Sequence, residues 1–275
     1  MTATLLKHEA LRTRGFLLVI LGAAAALGLV GSLMALTGWP VISVVGTVLG
    51  FIGAFGLIPA VQLASAVDYW RTGYGRIGYF TQTLPVRGAR IYGAKLAWAA
   101  LVLLAGLVLT VALWFGVMVA SAQSLFGMTP QVLLGQVGEV LAAAFEASPW
   151  LVAVGAPVIL IVMYGFNLVL LFAAASIGSE RWLQRLGWGG PVLVWFALYA
   201  IVQVVMFVLI LAIPFGLGVD AAGDFGLVPA DLLTAMVTNT TAEVMPVGFL
   251  PAMALMIPLL IWRTAHSWNH RVSLA

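Results

Sequence analysis

The sequence has very few charged residues and no cysteine. Only 8% of its 275 residues are charged, whereas 63% are hydrophobic, and an average soluble domain carries about 25% charged residues. So few charges cannot cover the surface of a water-soluble globule, but they suffice for a chain that needs charge only on its loops and ends. The absence of cysteine excludes disulfides, thiolate metal sites and cysteine nucleophiles. The composition therefore predicts a polytopic membrane protein.

Long apolar runs predict six membrane spans. Arg14 and Asp68 bound an uncharged stretch that is long enough for two spans of about 20 residues, and Gly38-Trp39-Pro40 interrupts it near the middle. The predicted spans are residues 16–36, 41–66, 96–122, 150–176, 192–215 and 244–262. The segments between them are too short to build an independent soluble core. We therefore expect an all-α protein with a single transmembrane domain over residues 1–275.

The basic residues all fall on one side of this plan. Every Lys and Arg lies in the N-terminal segment, the loop after span two, the loop after span four or the C-terminal tail. The opposite side carries acidic residues instead, namely Glu139, Glu146, Asp220, Asp224, Asp231 and Glu243. By the positive-inside rule, both termini are predicted to be cytoplasmic. The net charge of +3 is explained by orientation, and we expect no nucleic-acid partner.

Two segments on the outer side are predicted to lie at the bilayer surface. Thr129-Pro130 is typical of a helix start, and apolar residues recur on one face of the segment that follows, which predicts an interfacial helix. The second segment, residues 216–243, contains Pro229 and Asp231 before a short apolar stretch. This pattern favours a segment that folds back towards the bilayer.

Motifs for catalysis or metal binding are weak in this chain. Gly73 to Gly78 fits G-x-G-x-x-G, but it lies between two predicted spans, so turns in a connector are the better interpretation. His266 and His270 have the spacing of helical metal ligands but no acidic third ligand nearby. No P-loop, H-E-x-x-H or G-x-S-x-G sequence occurs. We therefore predict no catalytic, cofactor-binding or metal site in this chain.

Only neutral polar residues lie within the predicted spans, and the strongest are Gln62, Asn167 and Gln203. Proton-coupled carriers generally place ionisable side chains at membrane depth, because a group there must bind and release the proton. Hydrogen bonding between helices is the better interpretation of these three residues. Lining of a substrate pathway is the alternative.

Small residues recur every four positions in the first two spans. They are Ala24, Gly28 and Ser32 in span one and Gly46, Gly50 and Ala54 in span two. Such stripes let helix backbones approach closely. We expect them to form packing faces, within the chain or between subunits.

The most informative segment is the long cytoplasmic loop at residues 69–95. It is the most basic part of the chain, and aromatic residues crowd its first part, namely Tyr69, Trp70, Tyr74, Tyr79 and Phe80. Arginines that only orient the chain would explain the charge but not the aromatic residues. Aromatic residues interleaved with arginine favour a protein–protein contact.

These loop residues resemble a known family. The stretch Gly75-Arg76-x-Gly78-Tyr79-Phe80-x-x-Thr83-Leu84-Pro85-Val86, followed by Lys95-Leu96 where span three begins, is similar to the cytoplasmic loop of permease subunits of bacterial ABC exporters of the second type. Lys7-His8-Glu9-x-x-Arg12 resembles their N-terminal interface helix. Together with the six-span plan, the resemblance covers essentially the whole chain. One departure is Ile77, where relatives often carry an acidic residue.

The resemblance implies that the loop forms a coupling helix seated in a groove of a separate ATP-binding cassette ATPase subunit. The contact residues it implies are Arg71, Tyr74, Arg76, Tyr79, Phe80 and Thr83. It also implies that ATP and Mg²⁺ bind to the partner subunit, that a second copy of this or a related permease completes the translocation path, and that the protein lies in the bacterial plasma membrane. The alternative is a membrane-embedded enzyme or channel acting on lipids or hydrophobic molecules.

Overall fold

Helices dominate the computed structural model, which describes residues 2–75, 78–83, 85–219, 225–229 and 244–270. The helices are α1 (Thr2–Ala35), α2 (Pro40–Gly73), α3 (Gly78–Gln82), α4 (Gly88–Ala120), α5 (Ala122–Phe126), α6 (Pro130–Ala147), α7 (Ala156–Ile177), α8 (Gly189–Ala212) and α9 (Phe249–His270). The strands are β1 (Phe215–Val219), β2 (Phe225–Pro229) and β3 (Met245–Pro246). A π-helical turn, Leu151–Gly155, leads into α7.

Among the described residues, six helices are long and apolar enough to cross a membrane. They are α1, α2, α4, α7 with the turn before it, α8 and α9, and each coincides with one of the predicted spans. The prediction of an all-α polytopic membrane protein is therefore confirmed.

The helix ends differ from the predicted span ends. The segment that resembles an interface helix is not a separate element, because Thr2–Ala35 is one continuous helix. The fifth spanning helix, α8, ends at Ala212, and the sixth, α9, begins at Phe249, because Phe215–Val219 and Met245–Pro246 form strands. An apolar run marks the part of a helix that suits hydrocarbon, but helical hydrogen bonding continues into polar sequence wherever no residue breaks it.

The chain divides into two compact units, residues 1–140 and 141–275. In the first unit α1, α2 and α4 pack against one another. In the second unit α7 packs against α8 and α9. The single transmembrane domain over residues 1–275 stays a prediction.

Residues of the predicted small-residue stripes lie where α1 and α2 meet closely, together with Gly31 and Gly53, which the stripes did not include. A Cβ atom on Gly46 would lie 2.6 Å from the carbonyl oxygen of Gly31, and one on Gly53 would lie 2.8 Å from that of Ala24. No side chain fits at such distances, so glycine is required where the two backbones meet. These contacts lie within the chain.

Both predicted outer segments have regular structure where they are described. Thr129-Pro130 opens a helix as expected, since Pro130–Ala147 forms α6. In the second segment β1 pairs antiparallel with both β2 and β3, and Leu217 lies opposite Leu227. Pro229 ends β2, whereas Asp231 lies outside the described residues. The position of the two outer segments at the bilayer surface stays a prediction.

Candidate functional site

The loop between α2 and α4 folds into a tight turn followed by the short helix α3. The backbone amides of Tyr74 and Gly75 both donate to the carbonyl oxygen of Trp70, at 2.8 and 3.1 Å. The amide of Gly78 then donates to the carbonyl of Gly75 at 2.8 Å. A Cβ on Gly78 would lie 2.7 Å from the carbonyl oxygen of Gly73. The turn therefore needs glycine where α3 begins, because the end of α2 occupies the space of a side chain.

A side-chain hydrogen bond fastens α3 to the end of α2. The Thr81 hydroxyl donates to the carbonyl oxygen of Thr72 at 2.8 Å. The Thr83 hydroxyl donates within the loop, to the carbonyl oxygen of Phe80 at 3.0 Å. The two threonines thus differ in what they bind, since one reaches α2 and the other stays within the loop.

Several of the predicted contact residues lie on the surface of this loop. Phe80 in α3 is 73% exposed, and Arg71 and Thr83 are also exposed. Tyr79 lies in α3, whereas Arg76 lies outside the described residues. An exposed phenylalanine on a loop that also carries exposed arginine is the type of surface that protein partners bury.

Tyr74 has a different position from the other predicted contact residues. It is half-buried, and its ring packs edge-on against Tyr69 with the centroids 6.0 Å apart. Tyr69 in turn packs against Tyr92 of α4 at 6.2 Å, and both of these rings are buried. The ring of Tyr74 therefore supports the loop from inside, as part of the contact between α2 and α4.

Four charged residues meet beneath the loop. Glu9 and Arg12 come from α1, Asp68 from α2 and Lys95 from α4, and we call these four residues the charge cluster. Arg12 binds Asp68 through two parallel bonds of 2.6 and 2.7 Å. Glu9 accepts from Arg12 and, at 2.8 Å, from the ammonium group of Lys95. Bidentate arginine–carboxylate pairs are among the strongest polar contacts in proteins, so the cluster ties the three helices together.

The centre of the charge cluster is buried. The Lys95 side chain is only 5% exposed and that of Glu9 is 17% exposed. Lys95 also donates to the Thr72 hydroxyl at 3.0 Å. An isolated buried ammonium group would be very unfavourable, and the carboxylate of Glu9 compensates for its lost hydration.

Neighbouring residues add to this arrangement on the α1 side. The indole nitrogen of Trp98 donates to the Thr13 hydroxyl at 2.7 Å. That hydroxyl donates to the backbone carbonyl of Glu9 at 2.8 Å. These bonds fix the helical turn that carries Glu9, and they join α1 to α4 a second time.

The second unit contains a separate buried ion pair. The carboxylate of Glu180, which is 3% exposed, accepts from Arg263 at 2.6 Å and from the Ser267 hydroxyl at 2.9 Å. Burial alone would raise the pKa of Glu180, but the hydrogen bonds from Arg263 and Ser267 outweigh it and hold the pKa below its ordinary value. This pair joins the turn after α7 to α9.

The three candidate pathway residues occupy different environments. Gln62 is buried within the first unit, whereas Asn167 and Gln203 are exposed on α7 and α8 of the second unit. The amide of Gln203 donates to the Tyr199 hydroxyl at 3.1 Å. Gln203 also lines a groove of about 670 Å³, together with Met163, Val204, Met206, Phe207, Ile210, Met245, Phe249 and Met253. Of the three residues, Gln203 alone lines this groove.

Comparison of the chain with family models, with curated proteins and with solved structures finds no match. Among the residues that the structure describes, no group of three or more His, Asp or Glu side chains is placed to hold a metal ion. What the fold shows is a multi-pass membrane protein with six spanning helices in the described part of the chain.

Proposed function

We propose that this chain is the transmembrane permease subunit of an ATP-driven ABC exporter in the bacterial plasma membrane. In this proposal it forms a translocation path with a second permease, and separate ATP-binding subunits drive it. The observation that carries the proposal is α3, a short helix between two spanning helices that presents the 73% exposed side chain of Phe80.

The exposure of Phe80 supports a contact with a protein that docks on α3. An aromatic side chain that is rigid and mostly uncovered is the type of residue that anchors an interface when a partner pocket buries it. α3 is a single short helix held by a hydrogen bond from Thr81 to the end of α2 and by one from Gly78 to Gly75 in the turn. A partner that grips this helix can therefore act on a structured element.

The charge around α3 indicates what kind of surface would bind it. Arg71, Arg87 and Arg90 are exposed at the ends of α2 and α4 that flank the loop. Exposed arginines favour a partner groove with acidic groups at its rim, where they speed association and fix orientation more than they add affinity. The aromatic residues would supply most of the affinity.

A need for an external energy source also supports the proposal. The sequence contains no P-loop, so ATP hydrolysis by that motif must come from another polypeptide. The predicted spans contain no ionisable residue that could bind a proton at membrane depth. Transport driven by a separate ATPase satisfies both constraints.

Removal of the aromatic side chains on α3 tests the proposal. Tyr79→Ala with Phe80→Ala should lower the affinity for a candidate ATP-binding subunit from the same genome at least about 30-fold, which corresponds to 2 kcal/mol. Trp39→Ala is the matched control, because Trp39 is 68% exposed but precedes α2 at its other end. Affinity is measured with purified chains in nanodiscs.

Three outcomes would contradict the proposal. Full affinity in the double variant would separate α3 from the ATPase contact. Failure of the wild-type chain to bind the ATP-binding subunit would favour the alternative of a membrane-embedded enzyme or channel. Equal losses in the double variant and in Trp39→Ala would also count against a specific contact at α3.

A further inference from the structure

Thr72 connects α3 to the charge cluster. Its carbonyl oxygen accepts from the Thr81 hydroxyl of α3 at 2.8 Å, and its own hydroxyl accepts from the ammonium group of Lys95 at 3.0 Å. The same hydroxyl donates to the carbonyl oxygen of Asp68 at 2.7 Å. A single residue at the end of α2 therefore binds both the loop helix and the buried lysine of α4.

Beyond Thr72 the polar contacts continue without a gap through all three helices. Lys95 binds Glu9, Glu9 binds Arg12, and Arg12 binds Asp68. Both ends of this path lie on α2, and its middle lies on α1 and α4. Because the centre is buried, these charges interact in a low dielectric and the side chains have little freedom to move independently.

We propose that Thr72 and Lys95 are positioning residues that transmit a displacement of α3 to α1 and α4. This inference rests on the proposed function, in which the ATP-binding subunit pushes or pulls on α3. Thr81 attaches the loop helix, Thr72 passes the displacement on, and the ion pair of Lys95 with Glu9 carries it to α1. The charge cluster then makes the cytoplasmic ends of the three helices respond as one body.

The competing view is that the charge cluster only holds the spanning helices together. In that view α3 is positioned by its own turn, through the amides of Gly75 and Gly78, and Thr81 and Thr72 contribute nothing to its position. The two views differ in what a single hydroxyl does, so isosteric threonine-to-valine changes separate them.

The first measurement asks whether Thr81 holds α3 in place. Spin labels are attached to Phe80→Cys on α3 and to Lys7→Cys on α1, in the full chain in nanodiscs without the ATPase. The absence of native cysteine makes both sites unique. The distribution of distances between the two labels then reports how firmly α3 is attached to α1.

Thr81→Val should raise the fraction of molecules with a detached α3 about five-fold, which is the effect of losing one hydrogen bond of typical net strength. Thr83→Val is the matched control, because it removes a hydroxyl whose bond to Phe80 lies within the loop and does not reach α2. Equal distance distributions in the two variants would overturn the proposal.

The second measurement asks whether Thr72 passes the movement on. Thr72→Val keeps the carbonyl that accepts from Thr81 but removes the hydroxyl that accepts from Lys95. We expect this variant to bind the ATP-binding subunit as tightly as wild type. ATP should change the rate of thiol labelling at Lys7→Cys in the otherwise wild-type chain, and this change should be lost when Thr72→Val is present.

The outcomes of the two proposals are distinguishable. If ATP still changes labelling at Lys7→Cys in the Thr72→Val chain, the transmission path is wrong although the permease assignment survives. If the ATP-binding subunit does not bind the wild-type chain at all, the proposed function fails, whereas the spin-label comparison of Thr81→Val with Thr83→Val still decides whether α3 is attached through Thr72.

Discussion

Glu9→Gln is the substitution that tests the charge cluster most sharply. It leaves the ammonium group of Lys95, whose side chain is 5% exposed, without the carboxylate that binds it at 2.8 Å. Arg12 keeps its bidentate bond to Asp68, so the substitution acts mainly on the buried ammonium group of Lys95. Removing one partner of a buried ion pair costs about 3–5 kcal/mol, chiefly because the remaining charge is uncompensated.

We expect a cost at the lower end of that range, about 3 kcal/mol, because the Thr72 hydroxyl still accepts from Lys95. For a chain of this size the loss corresponds to a decrease in Tm of about 6–12 °C. The melting temperature is measured by tryptophan fluorescence in detergent micelles. Glu146→Gln is the matched control, since Glu146 is exposed on α6 and its neutralisation should change Tm very little.

The second variant in this series is Glu9→Gln with Lys95→Met. Replacing both partners of a buried pair by uncharged groups of similar volume is often close to neutral, so the double variant should recover most of the lost stability. A double variant that melts lower than Glu9→Gln would refute the idea of an uncompensated lysine. If Glu9→Gln alone has the same Tm as the control Glu146→Gln, the argument from the burial of Lys95 is refuted.

Three further results are expected. Gly53→Ala should destabilise the first unit by about 1–3 kcal/mol, because its Cβ would lie 2.8 Å from backbone atoms of α1. A Cβ on Gly56 would have nothing within 4 Å, so Gly56→Ala should be tolerated in the same melting assay. Because the folded protein holds the pKa of Glu180 below its ordinary value, the ionised carboxylate stabilises the fold at pH values above the ordinary carboxyl pKa. This stabilisation is lost as the pH falls through the lowered pKa, so the Tm difference between wild type and Glu180→Gln should vanish in strong acid. Membrane-impermeant thiol reagents should label Glu139→Cys from outside and leave Arg87→Cys unlabelled, and the reverse pattern would contradict the predicted orientation.

The spanning helices were predictable because hydrocarbon thickness fixes the length of an apolar run that can cross a membrane. The strands were not predicted, although the two longer ones begin with the same three residues. β1 and β2 both begin with Phe-Gly-Leu, at residues 215–217 and 225–227, and the two strands pair in antiparallel register with Leu217 opposite Leu227. Phe215, the first residue of β1, was assigned to the end of the predicted span 192–215, because the apolar residues of β1 continue the hydrophobic run of α8.

The charge cluster was also not predicted, because its partners are distant in sequence. Arg12 and Asp68 are 56 positions apart and meet only through the packing of α1 on α2. A signal was nonetheless present, since Glu9, Asp68 and Glu180 are the acidic residues that lie on the otherwise basic side of the six-span plan. Each of these three carboxylates forms a salt bridge in the structure. An acid that departs from the charge bias of its side is therefore a useful marker for a tertiary ion pair.

The loop was the part of the site that local sequence described best. The glycines predicted turns in this connector, and the family resemblance implied a short helix; α3 (Gly78–Gln82) is such a helix. The inward orientation of Tyr74 was not predictable, because it depends on the rings of Tyr69 and Tyr92 that the packing of α2 on α4 brings together.

The most direct test of the central claim is a cross-link from α3 to the ATP-binding subunit. A photoreactive phenylalanine analogue is placed at Phe80, and in a second variant at Trp39. Each chain is irradiated in membranes that also contain the candidate ATP-binding subunit. The account predicts a covalent adduct with the ATP-binding subunit from position 80 and none from position 39. An adduct from position 39, or none from position 80 although the two proteins copurify, would contradict it.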